Sequence, residues 1–192
     1  MIELLGRWRA RVAEAVRRWC ARPAQTLARG RVTLGFVFGA FVLGLAKPTW
    51  TSLVWGSAVA LVGEAIRVWS AGHLEKSREV TQSGPYAWTR HPLYLGSSII
   101  AAGLALAANS AIVAAMIAIY VGTFIPAAIR AEEAHLREKF GGDYDAYASR
   151  RSVPVPRPFS LSRARANREH HTIAGVLLGL AILALKIGLS VP

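Results

Sequence analysis

Five apolar blocks, at residues 32–46, 50–69, 93–108, 111–129 and 172–189, alternate along this chain with short segments that hold nearly all of its charge. A helix needs roughly 20 residues to cross the hydrocarbon core of a bilayer, with about 17 as the lower end. The second, fourth and fifth blocks meet that length, and the first and third reach it by borrowing flanking residues. The pattern predicts an all-α, integral-membrane helical bundle of about five transmembrane helices. Just over half of the 192 residues are hydrophobic. Clustered in blocks, they favour a membrane protein over a soluble one.

The charge supports this reading. The net charge is +12, a balance that fits nucleic acid or a membrane surface. The basic residues, however, sort by block. The first 31 residues, the connection between the second and third blocks with Arg67 at its edge, and residues 130–171 hold all of them except Lys47 and Lys186. Positive residues collect on the cytoplasmic side of a membrane. The expected topology is therefore a cytoplasmic N-terminus and a non-cytoplasmic C-terminus, with no nucleic-acid partner. High arginine and alanine content points to a prokaryotic inner membrane.

Residues 1–31 form their own expected region. Ile2, Leu5, Trp8, Val12, Ala15, Val16 and Trp19 recur at helical spacing, and the other face is mostly arginine. This predicts an amphipathic helix lying on an anionic membrane surface. Residues 32–171 then form the membrane core, and 172–192 a last transmembrane helix. The region shows no cleavable signal-peptide pattern. Cys20 is the single cysteine, so no internal disulfide forms. The five histidines show no metal-ligand spacing, and no metal is expected. Neither a Gly-x-Gly-x-x-Gly fingerprint nor a Walker A loop is present.

Two polar clusters carry the chemistry, and both fall on the basic side. The first is Ser83-Gly84-Pro85-Tyr86-Ala87-Trp88-Thr89-Arg90-His91-Pro92-Leu93-Tyr94. Gly84-Pro85 is a turn signal, and Tyr86 and Trp88 suit the membrane interface. Pro92 suits a first helical turn, which puts Arg90 and His91 at a helix N-terminus, a place that favours an anion. Arg90 snorkelling to lipid phosphate and His91 capping the helix is an equal reading of this segment alone. The second cluster is Arg130-Ala131-Glu132-Glu133-Ala134-His135-Leu136, followed by Phe140-Gly141-Gly142-Asp143-Tyr144-Asp145-Ala146-Tyr147. Glu132 and Glu133 point about 100° apart on a helix and cannot share one role. Arg130 can pair with Glu133 at i,i+3. Tyr144 and Tyr147 share a helical face.

Glu64 and Arg67 stand three apart inside the second block and predict a structural ion pair. The third block is rich in small residues, including Gly96, Ser97, Ala101 and Gly103. They predict close packing against the fourth block across the Asn109-Ser110 turn. That would leave a lateral opening beside the second block, near Ala60, Glu64 and Arg67.

The motif Ser-Gly-Pro-Tyr-x-x-x-Arg-His-Pro-x-Tyr-x-Gly at 83–96 resembles the first signature of the isoprenylcysteine carboxyl methyltransferase family. Glu132-Glu133-x-x-Leu136, Phe140-Gly141-x-x-Tyr144-x-x-Tyr147 and Val153-Pro154 resemble the second. The likeness covers about residues 72–158. It implies an S-adenosylmethionine-dependent membrane methyltransferase, related to phospholipid methyltransferases, with its cofactor wrapped by the two signatures at the cytoplasmic end of the bundle. By the same likeness, Tyr86, Arg90, His91, Pro92, Tyr94 and Gly96 line the cofactor site. Glu133 with Glu132 holds the methionine amino group, and Tyr144 and Tyr147 close over it. Arg90, His91 and Glu133 are the implied catalytic residues. The implied acceptor is a lipid or prenylated amphiphile, through a carboxylate or an amine. An NADPH-dependent enone reductase of the sterol type shares the Arg-His-Pro-x-Tyr segment. Its version typically carries Asn and Glu where this chain has Leu93 and Ser97, a mismatch that favours the methyltransferase.

Overall fold

The computed structural model describes residues 38–190 apart from 77 and 154. The chain divides into two units, Met1–Gly44 and Leu45–Pro192. In the first, residues 38–44 are described and helical. The amphipathic helix expected over 1–31, and the start of the first apolar block, lie outside the described residues.

The second unit runs α1 (Trp50–His73), a 3-10 turn (Gly84–Ala87), α2 (Pro92–Ala108), α3 (Ala111–Phe140), α4 (Gly142–Ala148), α5 (Leu161–Ala166) and α6 (Glu169–Ser190). No strand occurs among the described residues. Among the described residues, three helices, α1, α3 and α6, with 24, 30 and 22 residues, are long and apolar enough to cross a membrane. About five were expected. At 17 residues, α2 spans about 26 Å at a rise of about 1.5 Å per residue, short of the roughly 30 Å hydrocarbon core.

Local signals set the boundaries. Thr49 and Ser52 form a reciprocal capping box at the start of α1. Pro92 opens α2, where its missing amide donor leaves nothing unpaired. Asn109, with φ 48°, makes the left-handed turn between α2 and α3. The Asn109 side-chain amide donates to the Lys47 carbonyl at 3.1 Å, and the Lys47 amide to the Ala108 carbonyl at 2.8 Å. Lys47 and the hairpin turn thus share one end of the bundle.

The small residues of α2 pack against α1, not α3 as the sequence suggested. A Cβ built on Gly103 would lie 2.5 Å from the Ala60 nitrogen, and one on Gly63 2.7 Å from the Gly96 carbonyl oxygen. The physical reason is complementarity. Gly56, Ala60 and Gly63 recur at helical spacing on α1, so both helices offer a flat stripe and their backbones can touch. α3 also carries small residues, Ala111, Ala114, Ala115, Ala118 and Gly122, yet the residues it buries are Val113 and Ile117, and nothing lies within 4 Å of a Cβ at Gly122. Ala60 is fully buried, so the lateral opening expected beside it is closed.

The core joins α1, α2 and α6 through Ala60, Ile100 and Val176, with Leu104 and Leu180 against them. Arg67 ties the same three helices together. Its guanidinium bonds Glu169 on α6 at 2.6 and 3.2 Å, Thr172 at 3.2 Å, and on α2 the Leu93 carbonyl at 3.3 Å and the Ser97 hydroxyl at 2.5 Å. The pair expected between Arg67 and Glu64 is replaced by Arg67 with Glu169. The chain beyond α4 then folds back over the end of α1. Asn167 donates to the Ala71 and Leu74 carbonyls, both at 2.9 Å, and Arg163 Nε and the Ser160 amide donate to Gly72 at 2.8 and 3.1 Å. These are the carbonyls a helix C-terminus leaves unpaired.

Candidate active site

The two polar clusters meet at the end of the bundle opposite the Asn109 turn. The first is held by α1. Gly84 stands at φ +58° against the His73 ring, with no room for a Cβ, so glycine alone suits this turn. His73 Nδ1 lies 3.1 Å from the Ser83 hydroxyl. The 3-10 turn that follows buries Pro85 and Tyr86. Trp88 is exposed and meets Trp69 edge-on at 5.4 Å. Of the two aromatics expected at the interface, Trp88 is exposed and Tyr86 is internal.

His91 stands at the N-cap of α2, yet its side chain makes no capping bond. It turns to Glu133 on α3, with Nε2 3.0 Å from Oε1. Arg90 reaches the same oxygen at 3.2 Å, and Arg137 bonds Oε2 at 3.2 Å. One carboxylate therefore receives two guanidiniums and an imidazole. Residues 42 positions apart in the chain are joined by charge-assisted bonds, the stronger class of hydrogen bond. Glu133 pairs with Arg137 and Arg90 in place of the expected Arg130. Glu132, one residue earlier and about 100° around the helix, is exposed and forms no ion pair among the described residues.

Gly141, at φ +50°, breaks α3 and starts α4, which brings two tyrosines over the cluster. Tyr144 is 1% exposed, its hydroxyl stands near the Glu133 carboxylate without a well-formed hydrogen bond among the described residues, and the Arg137 guanidinium lies 5.4 Å from its ring centre. Its ring meets that of Tyr147 at 6.2 Å. The Tyr147 hydroxyl donates to the Tyr86 carbonyl at 2.8 Å, so α4 clasps the first cluster directly. Burial pushes the Tyr144 and Tyr86 phenols upward, with Glu133 and Glu132 respectively the next cause. Burial pushes Tyr147 up to about 12. All three stay un-ionised at neutral pH and act as donors and aromatic faces, not as bases.

Arg90, His91 and Glu133 thus form one cluster, roofed by Tyr144 and Tyr147 and flanked by Tyr86 and Glu132. Pro92 is fully buried behind it. Tyr94 lies with its ring 6.1 Å from that of His91. Gly96 lies elsewhere, in the seam with α1, where a Cβ would sit 2.7 Å from the Gly63 carbonyl oxygen. Arg137 was missed by sequence reasoning, although its i,i+4 spacing from Glu133 was a readable signal. Glu169 and Arg67 were missed as partners because no local pattern links residues 102 positions apart.

A phospholipid methyltransferase family model matches residues 41–143, more than half of the chain and both sides of the His91–Glu133 contact. The chain belongs to the phospholipid methyltransferase family. The motifs alone resembled the isoprenylcysteine carboxyl methyltransferase family; the match is to the phospholipid methyltransferase family. Among curated proteins, the chain is 33% identical over 146 residues to the nickel-cobalt-cadmium resistance protein NccN of Alcaligenes xylosoxydans xylosoxydans. It is 30% identical over 171 residues to the cobalt-zinc-cadmium resistance protein CzcN of Cupriavidus metallidurans. The matches cover 71% and 84% of this chain, and 66% and 76% of those relatives. No solved structure matches. Among the described residues, no three His, Cys, Asp or Glu side chains converge as a metal site.

Proposed function

We propose that this protein is a membrane methyltransferase that uses S-adenosylmethionine and acts on a lipid or other amphiphile. The observation that carries the reading is the Glu133 carboxylate, which binds Arg90 and His91 of the first signature from the second. The residues fit such a cofactor. Among the described residues, the buried Tyr144 hydroxyl makes no well-formed hydrogen bond, the exposed Glu132 carboxylate forms no ion pair, and Arg90 is only partly covered by Glu133. S-adenosylmethionine supplies an electrophilic methyl group on a sulfonium.

Arg90, at the start of α2, would hold the cofactor's carboxylate. Glu132 would hold its ammonium with Glu133, whose own oxygens already face three cationic or donor groups. Tyr86, Tyr94, Tyr144 and Tyr147 offer aromatic faces to a sulfonium. His91 and Pro92 shape the floor. The contribution of the chain is orientation, and the locked His91–Glu133–Arg137 array supplies rigidity for it. The polar end of the bundle faces the cytoplasm in this reading, because it carries the basic residues. With Cys20 replaced, a cysteine at Asn109 should react with an impermeant thiol reagent added outside, and one at Ser160 should not; the reverse pattern overturns this orientation.

Calorimetric titration of the purified protein with S-adenosylmethionine should show binding. Glu133→Ala should weaken it by about 1.5–3 kcal/mol, the scale of a lost charge-assisted bond. Retention of NADPH in place of S-adenosylmethionine would establish the reductase reading. Unchanged affinity in folded Glu133→Ala would remove Glu133 from the site.

A further inference from the structure

The stretch between α4 and α6 takes no part in the proposed chemistry, yet its charge is one-sided. Residues 149–168 hold six arginines and no Asp or Glu. Two of the six serve the fold. Arg157 bonds Glu79 at 2.7 Å and lies 3.8 Å from Glu75. Arg163 bonds the Gly72 carbonyl at 2.8 Å and also lies 3.8 Å from Glu75. The other four, Arg150, Arg151, Arg165 and Arg168, are exposed and form no ion pair among the described residues. Apolar side chains stand beside them. Val155 is 74% and Leu161 69% exposed. Phe159 instead sets its ring against Gly72, where no room remains for a Cβ.

The fold fixes the level at which this stretch lies. Asn167, Arg163 and the Ser160 amide bond the carbonyls of Ala71, Gly72 and Leu74, at the end of α1. α6 opens at Glu169, directly after Arg168. The stretch therefore lies where two membrane-length helices reach the water boundary, on the side that holds the basic residues. A nucleic acid or an acidic protein would meet the arginines but leave Val155 and Leu161 in water. A headgroup layer takes both. Its phosphates accept from guanidiniums, and apolar side chains reach the acyl boundary beneath them. A zwitterionic headgroup brings its own cation. Four arginines without a counter-charge match a headgroup that is net negative.

We propose that Arg150, Arg151, Val155, Leu161, Arg165 and Arg168 form a docking surface for anionic lipid headgroups of the adjoining leaflet. This surface is separate from the basic residues 1–31, and it stands whether or not the protein is a transferase.

The test reads the surface itself, in full-length protein with Cys20 replaced and Leu161→Cys carrying a polarity-sensitive fluorophore. The protein is placed in nanodiscs of phosphatidylcholine, with or without phosphatidylglycerol. Phosphatidylglycerol should shift the emission to the blue and expose the fluorophore to quenching by brominated acyl chains. High salt should reverse part of the shift, since exposed charges are screened. In the same protein, Arg165→Gln with Arg168→Gln should lower the ratio of docked to undocked fluorophore about fivefold for each arginine. That factor corresponds to the roughly 1 kcal/mol by which one basic side chain is drawn to an anionic surface. An unchanged size-exclusion profile shows that the variant folds. A fluorophore that stays in water in both discs overturns the docking surface. One equally buried in both discs, or indifferent to the two arginine changes, overturns the anionic partner. An equal blue shift on adding RNA to phosphatidylcholine discs would assign the surface to nucleic acid and overturn the lipid.

Discussion

Gly103→Leu should leave no correctly folded protein, while Gly122→Leu on α3 should fold and run as a discrete species. At Gly103 even a Cβ would lie 2.5 Å from the Ala60 nitrogen and 2.6 Å from the Gly56 carbonyl oxygen, whereas nothing lies within 4 Å of one at Gly122. Both variants add the same side chain to an apolar helix, so the contrast isolates packing from hydropathy. Ordinary overpacking costs about 1–3 kcal/mol because neighbouring side chains can shift. Here the neighbour is backbone, and relief requires α1 and α2 to separate along the whole seam that also holds Gly56, Gly63 and Gly96. Losing the seam moves Pro92 and the cluster built on it, so cofactor binding should fail with the fold. Size-exclusion profile and helical content in detergent decide the matter. A monodisperse, fully helical Gly103→Leu protein would show that α1 and α2 do not pack in this way.

Arg67→Met should destabilise the protein by about 3–5 kcal/mol, the range for removing one partner of a buried ion pair. Glu169 is 4% exposed, and Arg67 is its ionic partner at 2.6 Å. Met keeps much of the apolar stem, so the loss reports on charge. A second change, Glu169→Gln, should recover a large part of the loss, because the stranded carboxylate is then gone. Thermal unfolding of the two variants in one detergent provides the comparison. Equal melting temperatures for Arg67→Met and wild type would mean that the pair contributes nothing net. A double variant no more stable than Arg67→Met would mean that guanidinium bonds to Leu93 and Ser97, not the charge, hold the three helices together.

Much of the site was legible along the chain because its signals are local. Pro92 marks a helix start, Gly84 and Gly141 mark turns, and Tyr144 and Tyr147 share a face by spacing alone. Adjacent Glu132 and Glu133 had to diverge on any helix, and the structure turns Glu133 inward and leaves Glu132 exposed. The all-helical class and the long apolar helices follow from block length, since a continuous apolar run is readable without knowing its neighbours. Membership in a methyltransferase family was also carried by contiguous motifs.

Partners across the bundle were not legible. Hydropathy says that a face is apolar, but not which of several apolar helices it meets. The small residues of α2 could have faced α3 across the short Asn109 turn. Gly96 and Gly103 face α1, whose Gly56, Ala60 and Gly63 meet them backbone to backbone, although α3 carries small residues of its own. Arg67 was expected to pair with Glu64, three residues away. It pairs instead with Glu169, and that choice leaves the buried Glu64 carboxylate with no hydrogen bond among the described residues. What the sequence by itself determined was the set of helices, their ends and the groups available for chemistry, because each depends on neighbours within a turn or two. Only the tertiary structure decided which carboxylate received which cation, because that depends on how three helices close on one another.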